Sequence, residues 1–147
     1  MHVVLFTSDD QTFAIPTNCV VEVIPAVEWR PLPKSDAGVL GVFNYRASLL
    51  PLLDFAQLLQ QSDRPLHRSA RILVLNVAAS REGESTDEML GLLVQRVLGS
   101  EHLDWEHPPS DQRDEVRPDE LLGPVMLTSI GTIQLIHAAG IAFPRRG

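Results

Sequence analysis

Apolar residues in this chain come in short bursts separated by turn-forming residues. Short bursts are typical of β-strands, whereas an amphipathic helix places apolar residues three and four apart over a longer stretch. The pattern predicts strands over residues 3–7, 12–16, 20–24, 39–46, 49–53, 71–77, 89–95, 125–129 and 132–137. We therefore expect an all-β protein, mainly strands with a few short helices.

Two pairs of neighbouring strands are predicted to form β-hairpins. The first pair flanks the polar turn SDDQ, and the strands 39–46 and 49–53 are joined through Ala47-Ser48. Pro51 lies within the latter hairpin and has no N–H to donate to a neighbouring strand. We therefore expect Pro51 at a sheet edge or at a bulge.

Helical signals are few. Asp54 is a good N-cap, and apolar residues follow it at helical spacing, which predicts a short helix over residues 54–61. Weaker patterns predict helices over residues 100–106 and 137–143. None of these segments is long enough to serve as the crossover helix that a parallel sheet requires.

The chain is predicted to form one domain over residues 1–147, with approximate halves at 1–61 and 70–147 that share one module. The polar stretch SDRPLHRS between them is the candidate joint. Many short strands separated by frequent turns favour one or two small closed barrels.

Composition restricts the class of partner. Of the 147 residues, 44% are hydrophobic, which is enough for a substantial core. The net charge of −7 disfavours nucleic acid and anionic lipid as partners. No apolar run reaches the roughly 20 residues needed to cross a bilayer, and no signal-peptide pattern is present, so we expect a cytoplasmic protein without direct membrane insertion.

Residues with catalytic or metal-binding chemistry do not form a recognisable site. The single thiol, Cys19, lies in an apolar segment and is expected to be a buried structural cysteine. His102 and His107 flank two carboxylates, but the prolines after His107 end any helix there, so a solvated segment is favoured over a metal site. We predict no enzyme activity, no cofactor and no metal, and a binding module is favoured by elimination.

The most informative segment is PKSDAGVLGVFNYRASLLPLLDF, residues 33–55. It resembles the central signature of CheW-like domains, in which a G-V-x-N-x-R-G strand is followed by a P-V/I-x-D-L strand. The matching residues are Gly41, Val42, Asn44, Arg46, Pro51, Asp54 and Phe55. The segments FTSDDQTFAIPTNCVVEVI and MLGLLVQRVLGSEHL resemble other parts of the family pattern in the same order, so the resemblance spans most of the chain.

The chain departs from this family pattern at several positions. Tyr45 replaces the usual leucine, Ala47 replaces the glycine after the motif arginine, and Gln95 stands where an acid is common. Ala47 implies either a tighter turn with negative φ or local strain, because glycine tolerates positive φ and alanine does not. These departures bear on the partner surfaces rather than on the fold.

The resemblance implies a fold of two small five-stranded β-barrels packed around a shared apolar core. It also implies a non-catalytic adaptor that couples the cytoplasmic tip of methyl-accepting chemoreceptors to the regulatory domain of a CheA-type histidine kinase. An alternative from another class is a small-ligand-binding β-barrel sensor. Such a sensor would need polar residues inside the strands, for which the candidates are Asn44, Asn76 and Gln95.

The receptor-binding residues implied by the resemblance are Arg46, Val20 and Glu22. Arg46 offers five hydrogen-bond donors and a permanent charge, which suits a partner contact. It could equally be a structural arginine that pins the barrels together. Glu22 could instead be the exposed member of the alternating strand Val21-Glu22-Val23.

Two further sets of residues follow from the same resemblance. Apolar residues at a barrel end are expected to bind the kinase, or alternatively to belong to the ordinary core: Leu40, Val42 and Leu50. The structural motif residues are Gly41, Asn44, Pro51 and Asp54. Among these, Gly41 is expected to permit close backbone approach, Asn44 to hold a turn, and Asp54 to cap a helix.

Overall fold

The computed structural model describes residues 1–32, 38–59, 66, 68–80, 88–104 and 121–141. This part of the chain is mostly β-strand, which confirms the predicted fold class. The strands are β1 (His2–Ser8), β2 (Gln11–Pro16), β3 (Val20–Pro25), β4 (Arg30–Pro31), β5 (Val39–Tyr45), β6 (Ser48–Asp54), β7 (Arg71–Asn76), β8 (Met89–Val94), β9 (Arg96–His102), β10 (Leu122–Thr128) and β11 (Gly131–Ile136). One short α-helix, α1 (Phe55–Leu58), follows β6.

The strands form two sheets. Sheet A has five strands in the order β10-β11-β2-β1-β9, and sheet B has six in the order β3-β7-β8-β6-β5-β4. Neighbouring strands are antiparallel except for β11 with β2 and β6 with β8, which are parallel. Sheet B is built from consecutive strands, β3 to β8, whereas sheet A joins β1 and β2 to β9, β10 and β11. Segments near the two ends of the chain must therefore meet before sheet A is complete.

Several strands are buried on both faces, which explains their nearly continuous apolar sequences. In β7, Ile72 and Val74 belong to the core enclosed by sheet B, whereas Leu73 and Leu75 belong to the core between the two sheets. Strand β1 divides its alternate residues in the same way between the core of sheet A and the core between the sheets. The structure therefore has three adjoining apolar layers.

The core between the sheets contains a cluster of three phenylalanines. The ring of Phe55 packs edge-on against Phe6 and Phe13, with centroids 4.9 and 4.8 Å away, and the latter two rings stack at 5.7 Å. Aromatic pairs of this kind contribute about 0.5–1.5 kcal/mol each beyond the area they bury. Phe55 is the first residue of α1, where Asp54 acts as the N-cap by accepting a 3.3 Å hydrogen bond from Ala56 N.

The expected pair of small, packed, barrel-like units is confirmed, with one difference in strand count. Sheet B has a sixth strand because β4 pairs with β5 over two residues, Arg30 opposite Val42 and Pro31 opposite Gly41. The sequence pattern does not indicate β4, since two residues show no periodicity.

The predicted helix over 100–106 is wrong where the structure describes it. Residues 100–102 belong to β9, which pairs with β1 from His2–His102 to Thr7–Arg96. Hydrogen bonding to a neighbouring strand overrides the weak helical pattern of this segment. The predicted helix over 137–143 is reduced to one 3-10 turn, Ala138–Gly140, within the described residues. Residues 105–106 and 142–143 lie outside them.

Pro51 lies in an interior strand rather than at a sheet edge, because β6 is between β8 and β5. The parallel pairing with β8 begins one residue later, at Leu52 opposite Gly91. On its other side Pro51 stands opposite Val42 of β5. The missing N–H is tolerated because Pro51 precedes the segment that pairs with β8.

Gly41 stands opposite Pro31 in the short pairing of β4 with β5. A Cβ at this position would overlap the backbone carbonyl oxygen of Arg30. We expect Gly41→Ala to lower the free energy of unfolding by about 1–3 kcal/mol, because backbone atoms have little room to move aside. Urea unfolding measures this loss.

Gly99→Ala is the matched control, because Gly99 has a φ of 136° but a Cβ added there would meet no atom within 4 Å. This variant carries the cost of the backbone conformation without the overlap. Equal losses for the two variants would contradict the assigned role of Gly41.

Candidate functional site

Three polar side chains meet where sheet B closes on itself. Glu22 lies on β3 at one side of the sheet, and Tyr45 and Arg46 lie at the end of β5 near the other side. The Tyr45 hydroxyl donates a 2.5 Å hydrogen bond to Glu22 Oε2, and Arg46 Nη2 lies 3.2 Å from the same oxygen. These contacts join the two sides of the sheet into a barrel-like shape. We call Glu22, Tyr45 and Arg46 the closing cluster.

Arg46 contacts two other residues of the closing cluster and is also exposed to solvent. Its guanidinium lies over the Tyr45 ring, 5.4 Å from the centroid, in addition to the ion pair with Glu22. The side chain is nevertheless 75% exposed. An exposed ion pair contributes only about 0–1 kcal/mol to stability, so its main effect is to orient the guanidinium. Arg46 therefore links two strands of sheet B rather than pinning the two barrel-like units together, and its guanidinium stays accessible to solvent.

Tyr45 is the residue of this cluster that sequence reasoning did not assign to the site. The hydrogen bond to Glu22 raises the pKa of the Tyr45 hydroxyl, because the neutral phenol is the donor, and burial adds to this shift. The positive charge of Arg46 acts in the opposite direction. The only signal in the sequence was that a tyrosine occupies a position where the resembling family has leucine.

The turn between β5 and β6 presents Arg46. Arg46 and Ala47 have φ values of 49° and 66°, and they form a two-residue loop between the paired residues Tyr45 and Ser48. Two successive positive φ values are typical of a type I′ hairpin turn. The Asn44 side chain supports the turn by accepting a 3.1 Å hydrogen bond from Ala47 N. Of the two alternatives for Ala47, the negative φ is wrong, and the strained conformation is observed.

The side chains of β3 alternate between exposed and half-buried, but Glu22 is not among the exposed residues. Val21 is 49% exposed and Val23 is also exposed, whereas Val20, Glu22 and Ile24 are half-buried. Val20 packs against the core between the sheets, and Ile24 packs against the core inside sheet B. The interpretation of Glu22 as the exposed member of this strand is therefore wrong.

The β5–β6 hairpin carries an exposed apolar residue, Leu49, that the sequence analysis did not single out. Leu49 is 73% exposed and stands opposite Asn44. Val42 is two residues before Asn44 and half-buried. Leu40 and Leu50, the other candidate kinase contacts, pack against the core inside sheet B.

A ligand pocket between the sheets is not supported by the residues proposed for it. Asn76 Oδ1 accepts hydrogen bonds from the backbone N–H groups of Ala78 and Glu88, both at 3.2 Å. Gln95 Oε1 accepts one from Asp9 N at 3.1 Å. These side chains therefore satisfy backbone groups rather than line a pocket.

One groove of about 370 Å³ lies instead on sheet A. It runs between the β1–β2 turn and the β10–β11 hairpin, and Asp10, Phe13, Val125, Ile130 and Gln134 are among its lining residues. None of Asn44, Asn76 and Gln95 lines it.

The described residues with catalytic or metal-binding chemistry do not gather into one site. Cys19 is buried and 1% exposed, with Sγ 3.4 Å from Asn18 Oδ1. His102 faces His2 across the β1–β9 pair, and His107 lies outside the described residues. Within the described ranges, no group of three or more His, Cys, Asp or Glu could hold a metal ion. The same residues contain no helix long and apolar enough to cross a membrane.

Comparison with known proteins gave matches over most of the chain. Residues 2–142 match the family model of the CheW-like domain. Protein PilI of Pseudomonas aeruginosa is 32% identical over 98 residues, which cover 67% of this chain and 51% of PilI. Protein FrzA of Myxococcus xanthus is 29% identical over 87 residues, covering 59% and 54%. The chain thus spans about half the length of these two relatives.

A solved structure supports the same fold. The scaffolding protein TtCheW from Thermoanaerobacter tengcongensis superimposes with a TM-score of 0.74 at 18% sequence identity. The match covers 92% of this chain and 87% of that one. At this identity the likeness concerns the fold.

Relief of strain in the β5–β6 turn should stabilise the protein. We expect Ala47→Gly to raise the free energy of unfolding by about 0.5–1 kcal/mol, because glycine adopts positive φ without the Cβ clash. Ala56→Gly, a change of the same size within α1, is the control and should lower it by about 1 kcal/mol. Urea unfolding of both variants tests this, and a loss of stability in Ala47→Gly would contradict the strain.

The ionisation of Tyr45 reports directly on the closing cluster, because Tyr45 is the only tyrosine of the chain. Its pKa is raised above 10.0, so its contribution to stability is fully present below pH 10.0 and is lost as the pH rises through the higher value. We expect the phenolate absorbance to appear above pH 10.0 and Glu22→Gln to move its midpoint downward. A midpoint that Glu22→Gln leaves unchanged, in protein shown by circular dichroism to be folded, would contradict the contact.

Proposed function

The chain belongs to the CheW-like domain family, and on that premise we propose that it is a non-catalytic scaffold of a bacterial chemosensory pathway. It couples the cytoplasmic tip of methyl-accepting chemoreceptors to the regulatory domain of a CheA-type histidine kinase. It acts in the cytoplasm, where it holds these partners in an array, and a signal passes when the way they are held changes. The observation that carries this proposal is the exposed, oriented Arg46 of the closing cluster.

Arg46 has the properties of an anchor for a protein partner. Guanidinium donors that Glu22 does not engage are available to a carboxylate or a backbone carbonyl of the partner. Because Tyr45 and Glu22 already restrain the side chain, less conformational entropy is lost on binding. Arginine held in this way is a frequent energetic centre of protein interfaces.

One exposed apolar residue near this cluster extends the proposed receptor-binding surface. Leu49 lies on the hairpin that carries Arg46, whereas Val21 and Val23 lie on the exposed face of β3, on the other side of the strand from Glu22. Apolar side chains around a charged anchor exclude water from its contact with the partner. In this proposal Glu22 positions Arg46, and Val20 supports the strand from the core side.

The kinase-binding surface is assigned to the barrel end formed by β5 and β6. Of its three candidate residues, Val42 lies on the same face as Asn44, two residues away along β5. Leu40 and Leu50 contribute by shaping this end from the core side. The fully buried core of a protein interface is more apolar than the rest of the surface, which suits Val42.

The relatives add support for an adaptor over a ligand sensor. The structural neighbour TtCheW is itself a scaffolding protein. The amide side chains that a ligand sensor would need are engaged by backbone groups in this chain. A sensor would be stabilised against heat by its ligand, whereas the scaffold should be unaffected by a panel of metabolites.

Binding to both partners tests the proposal. The immobilised protein should retain the CheA-type kinase and a receptor cytoplasmic fragment from the same organism. We expect Arg46→Glu to weaken receptor binding by about tenfold or more and kinase binding much less. A glutamate at this position cannot donate hydrogen bonds to an acceptor on the receptor, and it no longer pairs with Glu22. Calorimetry with each partner separately gives the two dissociation constants.

Arg96→Glu is the matched control, since Arg96 is an exposed arginine at the start of β9 on sheet A. It should leave both affinities unchanged. Failure of the unmodified protein to bind either partner would exclude the scaffold function. If Arg46→Glu weakens the binding of both partners equally and the variant is unfolded, Arg46 is instead a purely structural residue.

A further inference from the structure

The β10–β11 hairpin is the least charged part of the chain. Residues 121–143 contain no Asp, Glu, Lys or Arg, although these residues make up 21% of the whole sequence. Strand β10 is also an edge of sheet A, and among the described residues no strand is hydrogen-bonded to its outer side. Its regular pairing with β11 runs from Val125 to Thr128, after an irregularity next to Leu122.

This edge exposes large apolar side chains. Leu127 is 81% exposed, Ile130 is 65% exposed, and Val125 is exposed beside them. We call Val125, Leu127 and Ile130 the β10 patch. Val125 and Leu127 are two residues apart on one strand, so they share a face of the sheet. An uncharged edge strand with exposed apolar residues readily pairs with another strand.

The opposite edge strand of the same sheet has features that prevent it from pairing with another chain. Strand β9 carries Arg96, Glu101 and His102, and its pairing with β1 is interrupted by a bulge next to Leu5. Charged side chains and bulges are features that prevent edge-to-edge association. In the described structure, β10 has only Pro124, at its irregular end, as a comparable feature.

We propose that β10 pairs antiparallel with β10 of a second copy of this chain, forming a weak twofold-symmetric dimer. In a twofold contact the same patch is present on both sides, so charged residues of one sign would face each other across it. The uncharged β10 edge avoids this repulsion, which two chains of net charge −7 would meet over most other surfaces. Pairing through this edge also brings Val125 and Leu127 of both copies onto one apolar face.

This interface is separate from the closing cluster, because β10 is in sheet A and the cluster is in sheet B. It does not rest on the proposed scaffold function. The pairing of one short strand buries less area than the roughly 1,200–2,000 Å² of a standard stable interface, so we expect self-association to be weak and concentration-dependent.

Sedimentation velocity over a range of protein concentrations tests the dimer. The full chain should sediment as a monomer when dilute and approach a dimer when concentrated. Raising the salt from about 0.1 M to about 1 M should strengthen association, because it screens the repulsion between two acidic chains and does not weaken apolar contacts. Backbone amides of β10 should exchange hydrogen more slowly in the concentrated sample.

Leu127→Lys should abolish association, because it places a charge at the centre of the symmetric contact. Leu98→Lys is the matched control, since Leu98 is 45% exposed on β9, the other edge of sheet A, and it should behave like the unmodified chain. Ile130→Lys gives a second variant at an exposed position outside the strands.

A monomer at every concentration and salt would overturn the proposal, as would equal loss of association in Leu127→Lys and Leu98→Lys. If the unmodified chain is monomeric but Leu127→Lys loses binding to the kinase regulatory domain, the β10 patch binds a different protein and the dimer is excluded. All three results leave receptor binding through Arg46 to be judged by its own experiment.

Discussion

The apolar core between the two sheets is the interaction on which the rest of the structure depends. It takes side chains from one face of each sheet, and the phenylalanine cluster of Phe6, Phe13 and Phe55 lies within it. The strands that supply this core also carry apolar residues on their other face, so each sheet must curve over a second core of its own. Curvature in turn brings β3 close to the end of β5, which makes the closing cluster possible.

The closing cluster illustrates how a contact of small energetic value can have a large functional effect. Its ion pair is exposed and contributes little to stability. Its value lies in orientation, because Glu22 and the Tyr45 ring hold the Arg46 guanidinium at the tip of a hairpin whose turn is strained at Ala47. Two departures from the family pattern, Tyr45 and Ala47, therefore lie next to the residue that we propose contacts the receptor. A difference in binding specificity between this chain and its relatives would be expected to arise at these two residues.

Prediction succeeded for strands with strong apolar patterns and failed where tertiary pairing decided the conformation. Strands such as β7 were evident because both of their faces are buried. Strand β9 was missed because its residues are mostly exposed and polar, and it exists through hydrogen bonds to β1. At the site, the resemblance led to Arg46 and Glu22, whereas the partnership of Tyr45 with Glu22 joins residues 23 positions apart and leaves no local signal.

The sequence by itself determined the mainly β character, the positions of most strands and the capping of α1 by Asp54. It also determined the membership of the CheW-like domain family, which the motif around Arg46 indicates. These features follow from periodicity, capping chemistry and short motifs, all of which are local. Only the tertiary structure decided which strands lie at sheet edges, which face of β3 is exposed, and which residues meet at the closing cluster. The reason is physical: these properties depend on contacts between distant segments, and a short window of sequence does not contain the partner.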